Sequence, residues 1–161
     1  GGAVSHKYSF DYDNTLIQYV YVYDDEGKIV DAKYDTPHME NIRLLRHLSV
    51  QGHKIYITTA RTEGVRLEEH IDNSPSPEEL IGTMKLPVEK VFYTDGACKV
   101  STLIDNGIRE HWDDCSEQCA RIEEQAGNII KANLVDAPTG IDCFLKNKFE
   151  KLNEASNKER G

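Results

Sequence analysis

The chain has 161 residues, 39% of them hydrophobic and 29% charged, with 28 acidic against 19 basic residues and a net charge of −9. A chain of this length forms one domain with a real core. The acidic balance argues against an extended nucleic-acid-binding face, which needs many Lys and Arg contacts to phosphate, but leaves room for recognition of a single terminal phosphate. No apolar run approaches the roughly 18 residues that a membrane helix requires.

Residues 1–7 contain no hydrophobic region of signal-peptide length and read as a tag or linker remnant ahead of a domain spanning 8–155. Residues 156–161 read as a frayed tail. Cys98, Cys115, Cys119 and Cys143 form no CxxC pair, and the six histidines lack metal-ligand spacing. Four free, reduced thiols in a cytoplasmic protein, without zinc, are therefore expected.

Tyr8 to Ile17 opens as a buried strand and turns polar at Asp11-Tyr12-Asp13-Asn14-Thr15. Tyr19 to Tyr23 and Lys28 to Ala32 flank a Gly-containing turn and predict a hairpin. Thr36-Pro37 carries the signature of a helix start, with Thr as N-cap, and Gly52 closes that helix. A second strand, Lys54 to Thr59, again ends in polar residues. A helix over Glu63 to Ile71 follows, then a break at Asn73 to Pro77 and a short helix over Glu78 to Ile81.

Lys90 to Thr94 reads as the third strand, Val100 to Asp105 as a short helix and Ile108 to Trp112 as the fourth strand, running into Asp113-Asp114. Ser116 to Gln125 is helical, Ile129 to Val135 is a fifth strand, and a charged helix covers Phe144 to Ala155. Alternating strands and helices predict an α/β, Rossmann-like, doubly wound parallel sheet with helices on both faces.

Ligands bind such sheets at the C-terminal edge of the strands. Asp11 and Asp13, Thr58 and Thr59, Lys99, and Asp113 and Asp114 all fall at strand ends or helix starts on that edge. Transfer of a phosphoryl group to a carboxylate requires a cation between like charges, and magnesium prefers carboxylate, carbonyl and water oxygens. Asp11 with Asp113 or Asp114 supplies carboxylates for it. Asp13 suits a general acid and base, Lys99 a phosphate counter-charge, and a Thr hydroxyl a donor to phosphate oxygen.

Phe10-Asp11-Tyr12-Asp13-Asn14-Thr15 resembles the DxDxT motif of the haloacid dehalogenase superfamily of phosphatases. Ile57-Thr58-Thr59-Ala60-Arg61 resembles its second motif, with Thr59 the preferred phosphate ligand and Thr58 the fallback. Lys99 and Asp113-Asp114 stand where its third and fourth motifs belong, and the hairpin from Tyr19 to Lys33 matches its flap. The resemblance spans roughly Tyr8 to Val135.

It implies Asp11 as nucleophile and Asp13 as acid and base. Magnesium would be held by Asp11, the Asp13 carbonyl and Asp113, with Asp114 behind them. It also implies no large cap domain. The phosphatase domain of bacteriophage polynucleotide kinase-phosphatase has a similar layout, with an Arg placed as Arg61 is, which makes Arg61 a candidate phosphate-binding residue beside Thr59, Thr58 and Lys99. That makes a 3′-terminal nucleic-acid phosphate a candidate substrate beside nucleotides and sugar phosphates.

Several residues compete with these assignments. Lys85 and Lys90 rival Lys99, and Asp105 rivals the Asp113-Asp114 pair. His111 reads as a packed strand residue that could reach the back of the metal site. Tyr19, Tyr21 and Tyr23 read either as β-formers or as the lining of a substrate entrance. A receiver-type signalling domain phosphorylated at Asp95 is the alternative from another functional class.

Overall fold

A computed structural model describes residues 4–64 and 74–135. Five strands form one parallel sheet: β1 (Lys7–Phe10), β4 (Lys54–Thr59), β5 (Val88–Tyr93), β6 (Ile108–Asp113) and β7 (Lys131–Leu134). Their order across the sheet is β5-β4-β1-β6-β7, so the motif-bearing β1 is central, between β4 and β6. The sheet is flanked by α1 (Met39–Val50), α2 (Pro77–Met84), α3 (Val100–Asp105) and α4 (Ser116–Ala126), a Rossmann-like α/β arrangement. A separate two-stranded antiparallel sheet, β2 (Ile17–Tyr23) with β3 (Ile29–Pro37), leaves the end of β1.

Residues two apart on a strand share a face, and the core follows that alternation. Tyr8, Phe10, Ile55 and Ile57 are buried with Ile42 and Leu45 of α1. Tyr56, between two of them, packs instead against the second buried cluster, which includes Leu103 of α3 and Ile122 of α4. Aromatic contacts stiffen the centre, where Phe10 stacks on Trp112 with centroids 4.7 Å apart and planes 9° apart.

The end of β1 is pinned from both sides. Asp11 donates its N–H to the Trp112 carbonyl at 2.8 Å, which sets the relative height of the first and fourth motifs. The Tyr12 carbonyl then accepts the N–H groups of Thr15 and Leu16 at 3.2 and 2.9 Å, which curls the chain at once. That curl puts Asn14 at φ +61°, a left-handed conformation that Asn tolerates better than most residues. Asn41 of α1 donates its amide to the Thr15 carbonyl at 2.8 Å and holds the turn from below.

Several boundaries differ from expectation. Thr36 and Pro37 pair with Gln18 and Ile17 in the hairpin, so α1 starts at Met39 with His38 as its cap rather than Thr36. The hairpin's cross-strand register outweighs a local capping signature here. The short helix is longer than its sequence signal: Ser76 accepts from the Glu79 N–H and α2 runs from Pro77 to Met84. Ser5 and His6 contact Gly52 and His53, and β1 begins at Lys7.

The helices expected over Glu63 to Ile71 and Phe144 to Ala155 fall largely or wholly outside the described residues. The four free thiols need correction. Cys115 is disulfide-bonded, while Cys98 and Cys119 are free. Burial pushes the Cys119 thiol up to about 12, so it stays protonated at neutral pH. No helix among the described residues is long and apolar enough to cross a membrane.

Candidate functional site

Three carboxylates converge at the C-terminal edge of the central strands. Asp11 follows β1, Asp113 ends β6 and Asp114 comes next, and each offers an oxygen within 4.8 Å of the others. All three are buried. Lys99, the residue capping α3, reaches in with its ammonium 2.8 Å from Asp11 Oδ1 and 2.7 Å from Asp113 Oδ2. Three carboxylates and one ammonium leave two negative charges when all are ionised (3 − 1 = 2).

Each group carries further anchors. Asp113 accepts from His111 Nε2 at 2.8 Å and from the Cys115 N–H at 3.0 Å. Asp11 Oδ2 accepts from the Thr15 hydroxyl at 3.2 Å, which gives the fifth residue of the first motif its task. Lys99 itself is placed by a hydrogen bond from its N–H to Gln118 Oε1 of α4 at 3.3 Å.

The electrostatics divide the three acids. Burial raises the Asp11 pKa and repulsion from Asp113 adds to it, against the pull of Lys99. Burial and the charge of Asp11 likewise raise Asp114 well above the usual carboxylate range, and the two carboxyl groups share a hydrogen bond. Burial opposes ionisation of Asp113 too, but Lys99 and His111 prevail and hold it below its ordinary value. Lys99 is raised, because its two carboxylate neighbours outweigh the cost of burial.

A buried set of hard oxygen donors with excess negative charge suits a divalent cation such as magnesium. The burial and mutual repulsion that oppose ionisation of Asp11 and Asp114 are what such an ion would offset. Both acids bind protons more tightly folded than unfolded, so the stability they contribute to the metal-free fold is complete only below the ordinary carboxylate value near 4. That contribution is lost as pH rises through their raised folded values. Asp113 has the opposite sign, but its contribution is complete above pH ~4 and constant there.

The metal-free melting temperature should therefore fall between pH 5 and pH 8, and added magnesium should raise it more at pH 8 than at pH 5. At a concentration 100 times Kd the gain is about 2.7 kcal/mol, or roughly 5–10 °C for a chain of this size. Differential scanning fluorimetry with and without magnesium checks this; a shift that shrinks with rising pH would contradict it.

Asp13 lies beside this cluster, not in it. Arg61 donates to it through Nε to Oδ2 at 2.9 Å and Nη2 to Oδ1 at 2.6 Å, and Tyr19 also donates to Oδ1. Arg61 is 3% exposed and committed to Asp13. The Thr58 and Ser9 hydroxyls hydrogen-bond each other at 2.6 Å. Thr59 accepts from the Arg61 N–H at 3.2 Å, and its own proton has no acceptor among the described residues.

The competitors stand elsewhere. Lys85 closes α2 in a left-handed conformation, Lys90 lies over the Phe92 ring, and Asp105 is exposed at the end of α3. Asp95 is exposed and bonded to the Thr62 hydroxyl. Sequence reasoning undervalued Tyr19, which looked like any hairpin aromatic, and had no signal for Ser74, whose hydroxyl lies 2.8 Å from Arg61 Nη2. Comparison with known proteins adds no identification: no family model matches the chain, and no curated protein matches its sequence.

Proposed function

We propose that this protein is a magnesium-dependent phosphomonoester hydrolase of the haloacid dehalogenase type, working through an aspartyl-phosphate on Asp11. The observation that carries the reading is the Lys99 ammonium bridging Asp11 and Asp113 with Asp114 alongside. A buried cation between two carboxylates, at the edge where a parallel sheet binds ligands, is an arrangement for managing the charge of a phosphoryl group. On this reading the sheet is doubly wound, the β2–β3 hairpin is the flap over the site, and no large cap domain is needed.

Asp11, Asp113 and Asp114 would hold the ion, with the Asp13 carbonyl as a further oxygen. When bound it would neutralise phosphate charge and let a carboxylate approach phosphorus. The chain's own groups do the rest. An Asp11 oxygen attacks phosphorus, the ester P–O bond breaks, and the leaving oxygen takes a proton from Asp13. Water then attacks phosphorus and gives its proton to Asp13. The bond to Asp11 breaks, restoring the carboxylate and releasing inorganic phosphate. Lys99 and the Thr59 hydroxyl stabilise phosphate oxygens.

A 3′-terminal nucleic-acid phosphate or a nucleotide is the proposed substrate class, which needs recognition of one phosphate and not an extended basic face. The receiver reading lacks support at Asp95, which stands outside the acidic cluster and exposed. Turnover of p-nitrophenyl phosphate and of a 3′-phosphorylated oligonucleotide, with magnesium and with EDTA, tests the proposal. Magnesium-dependent release from both, with higher kcat/KM for the oligonucleotide, is expected. Preference for a sugar phosphate would redirect the substrate, and no release from any ester would sink the phosphatase reading.

A further inference from the structure

Asp13 is held by a buried cage drawn from four parts of the chain. Its Oδ1 takes two donors, Arg61 Nη2 at 2.6 Å and the Tyr19 hydroxyl, whereas Oδ2 takes only Arg61 Nε at 2.9 Å. The donors are braced in turn. Ser74 Oγ lies 2.8 Å from Arg61 Nη2 and shares a 2.9 Å hydrogen bond with the Tyr19 hydroxyl. Arg61 Nη1 reaches the Pro75 carbonyl at 3.3 Å, and its guanidinium sits 4.7 Å from the centroid of the Tyr12 ring. Tyr12 also donates to the Pro75 and Ser76 carbonyls at 2.8 and 3.0 Å. Tyr12, Tyr19, Arg61 and Ser74 are each at most 4% exposed.

We propose that Tyr19 and Arg61 are positioning residues that anchor Asp13 through Oδ1, leaving Oδ2 as the oxygen that exchanges protons with the leaving group and with water. The inference rests on the phosphatase reading above. A protonated carboxyl donates through its hydroxyl oxygen, which then accepts only weakly, and accepts mainly through the other oxygen. With Oδ1 as acceptor, both of its donors are kept, and only the single Nε contact to Oδ2 is weakened. The reverse choice would weaken two contacts. The anchor fixes the plane of the carboxyl group, so the proton on Oδ2 has a defined direction when the ester P–O bond breaks, and Oδ2 is again in place to accept a proton from water. A general acid acts only within hydrogen-bond reach of the atom that takes its proton, so the direction of Oδ2 matters.

The consequence is a leaving-group signature. p-Nitrophenolate departs without a proton, whereas the alkoxide of a sugar hydroxyl does not. kcat/KM reports only steps up to departure of the leaving group, so water's later attack does not blur it. Tyr19→Phe removes one of the two donors to Oδ1 and keeps the ring, and Arg61→Lys keeps the charge but loses the fork that grips both oxygens.

With full general-acid catalysis worth roughly 10²–10⁴-fold, each variant should lose at least about tenfold more kcat/KM on a 3′-phosphorylated oligonucleotide than on p-nitrophenyl phosphate. Arg61→Lys should lose more than Tyr19→Phe. Parallel losses on the two esters, as a merely structural role would give, or no loss on either, would overturn the inference. Wild-type protein that hydrolyses neither ester would overturn the phosphatase reading itself, and that outcome is told apart by the wild-type rates alone.

Discussion

Replacing Asp11 with Asn is expected to lower magnesium-dependent phosphate release by at least about 10⁴-fold, the scale on which loss of a nucleophile acts, while leaving the metal-free protein at least as stable as its parent. The catalytic half follows from chemistry, because an amide oxygen does not displace an ester oxygen from phosphorus. The stability half follows from the surroundings. Burial and the neighbouring Asp113 both oppose the negative charge on Asp11, so its pKa is raised. A neutral isostere removes that cost.

Its contacts survive the change. The Asn carbonyl can accept from Lys99, as Asp11 Oδ1 does at 2.8 Å. The Thr15 hydroxyl, which donates to Oδ2 at 3.2 Å, can rotate to accept from the new amide instead. Lys99 keeps its second partner, Asp113, at 2.7 Å. Thermal melts in EDTA and initial rates in magnesium check the two halves separately. Substantial turnover by a folded Asp11→Asn protein would mean that another group attacks phosphorus. Asp95→Asn, altering an exposed residue outside the cluster, should leave the rate unchanged.

What the chain disclosed in advance was governed by the range of each interaction. Apolar runs ending in polar residues marked β1, β4 and β6 directly, since a strand's burial and its edge are written in consecutive residues. Lys99 could be separated from Lys85 and Lys90 because it alone opens a helix after a strand, on the correct edge of a parallel sheet, and it does bridge Asp11 and Asp113.

Non-local effects were hidden. Thr36-Pro37 carries a local helix-start signature, yet a hairpin partner 19 or so residues away claims both residues for β3. Tyr19 differs from Tyr23 in nothing that sequence displays. The Tyr19 hydroxyl, near the start of β2, reaches Asp13, while Tyr23 at the far end of the same strand is 50% exposed. The resting place of Arg61 was also illegible: a guanidinium beside the second motif looks like a phosphate ligand until the buried carboxylate it faces is known. The Cys115 disulfide had no spacing signal to announce it.

Lys99→Met should be the most destabilising substitution at the site, and its effect should depend on metal and on pH. The change keeps the aliphatic length but leaves Asp11, Asp113 and Asp114 buried together without their ammonium. Removing one partner of a buried ion pair costs about 3–5 kcal/mol, or roughly 6–20 °C in melting temperature for a chain of this length. Asp113 would change character most, because after burial the Lys99 charge is the main influence acting on it and is what holds its pKa down.

Without Lys99, only His111 and the Cys115 N–H still oppose the effect of burial on Asp113, so its folded value should rise, and Asp11 and Asp114 should rise further without the ammonium's pull. Asp11 and Asp114 would then contribute stability that is complete below pH ~4 and lost over a wider range as pH rises. The metal-free variant should consequently melt progressively lower from pH 5 to pH 8, along a steeper line than the parent. Magnesium, supplying two positive charges where one was lost, should restore more stability to the variant than it adds to the parent. Catalysis should not return with the fold, because in the proposed mechanism Lys99 also serves the phosphate oxygens. A variant that melts with the parent in EDTA at pH 8 would mean that the three carboxylates do not share a buried charge there and create no electrostatic demand for a cation.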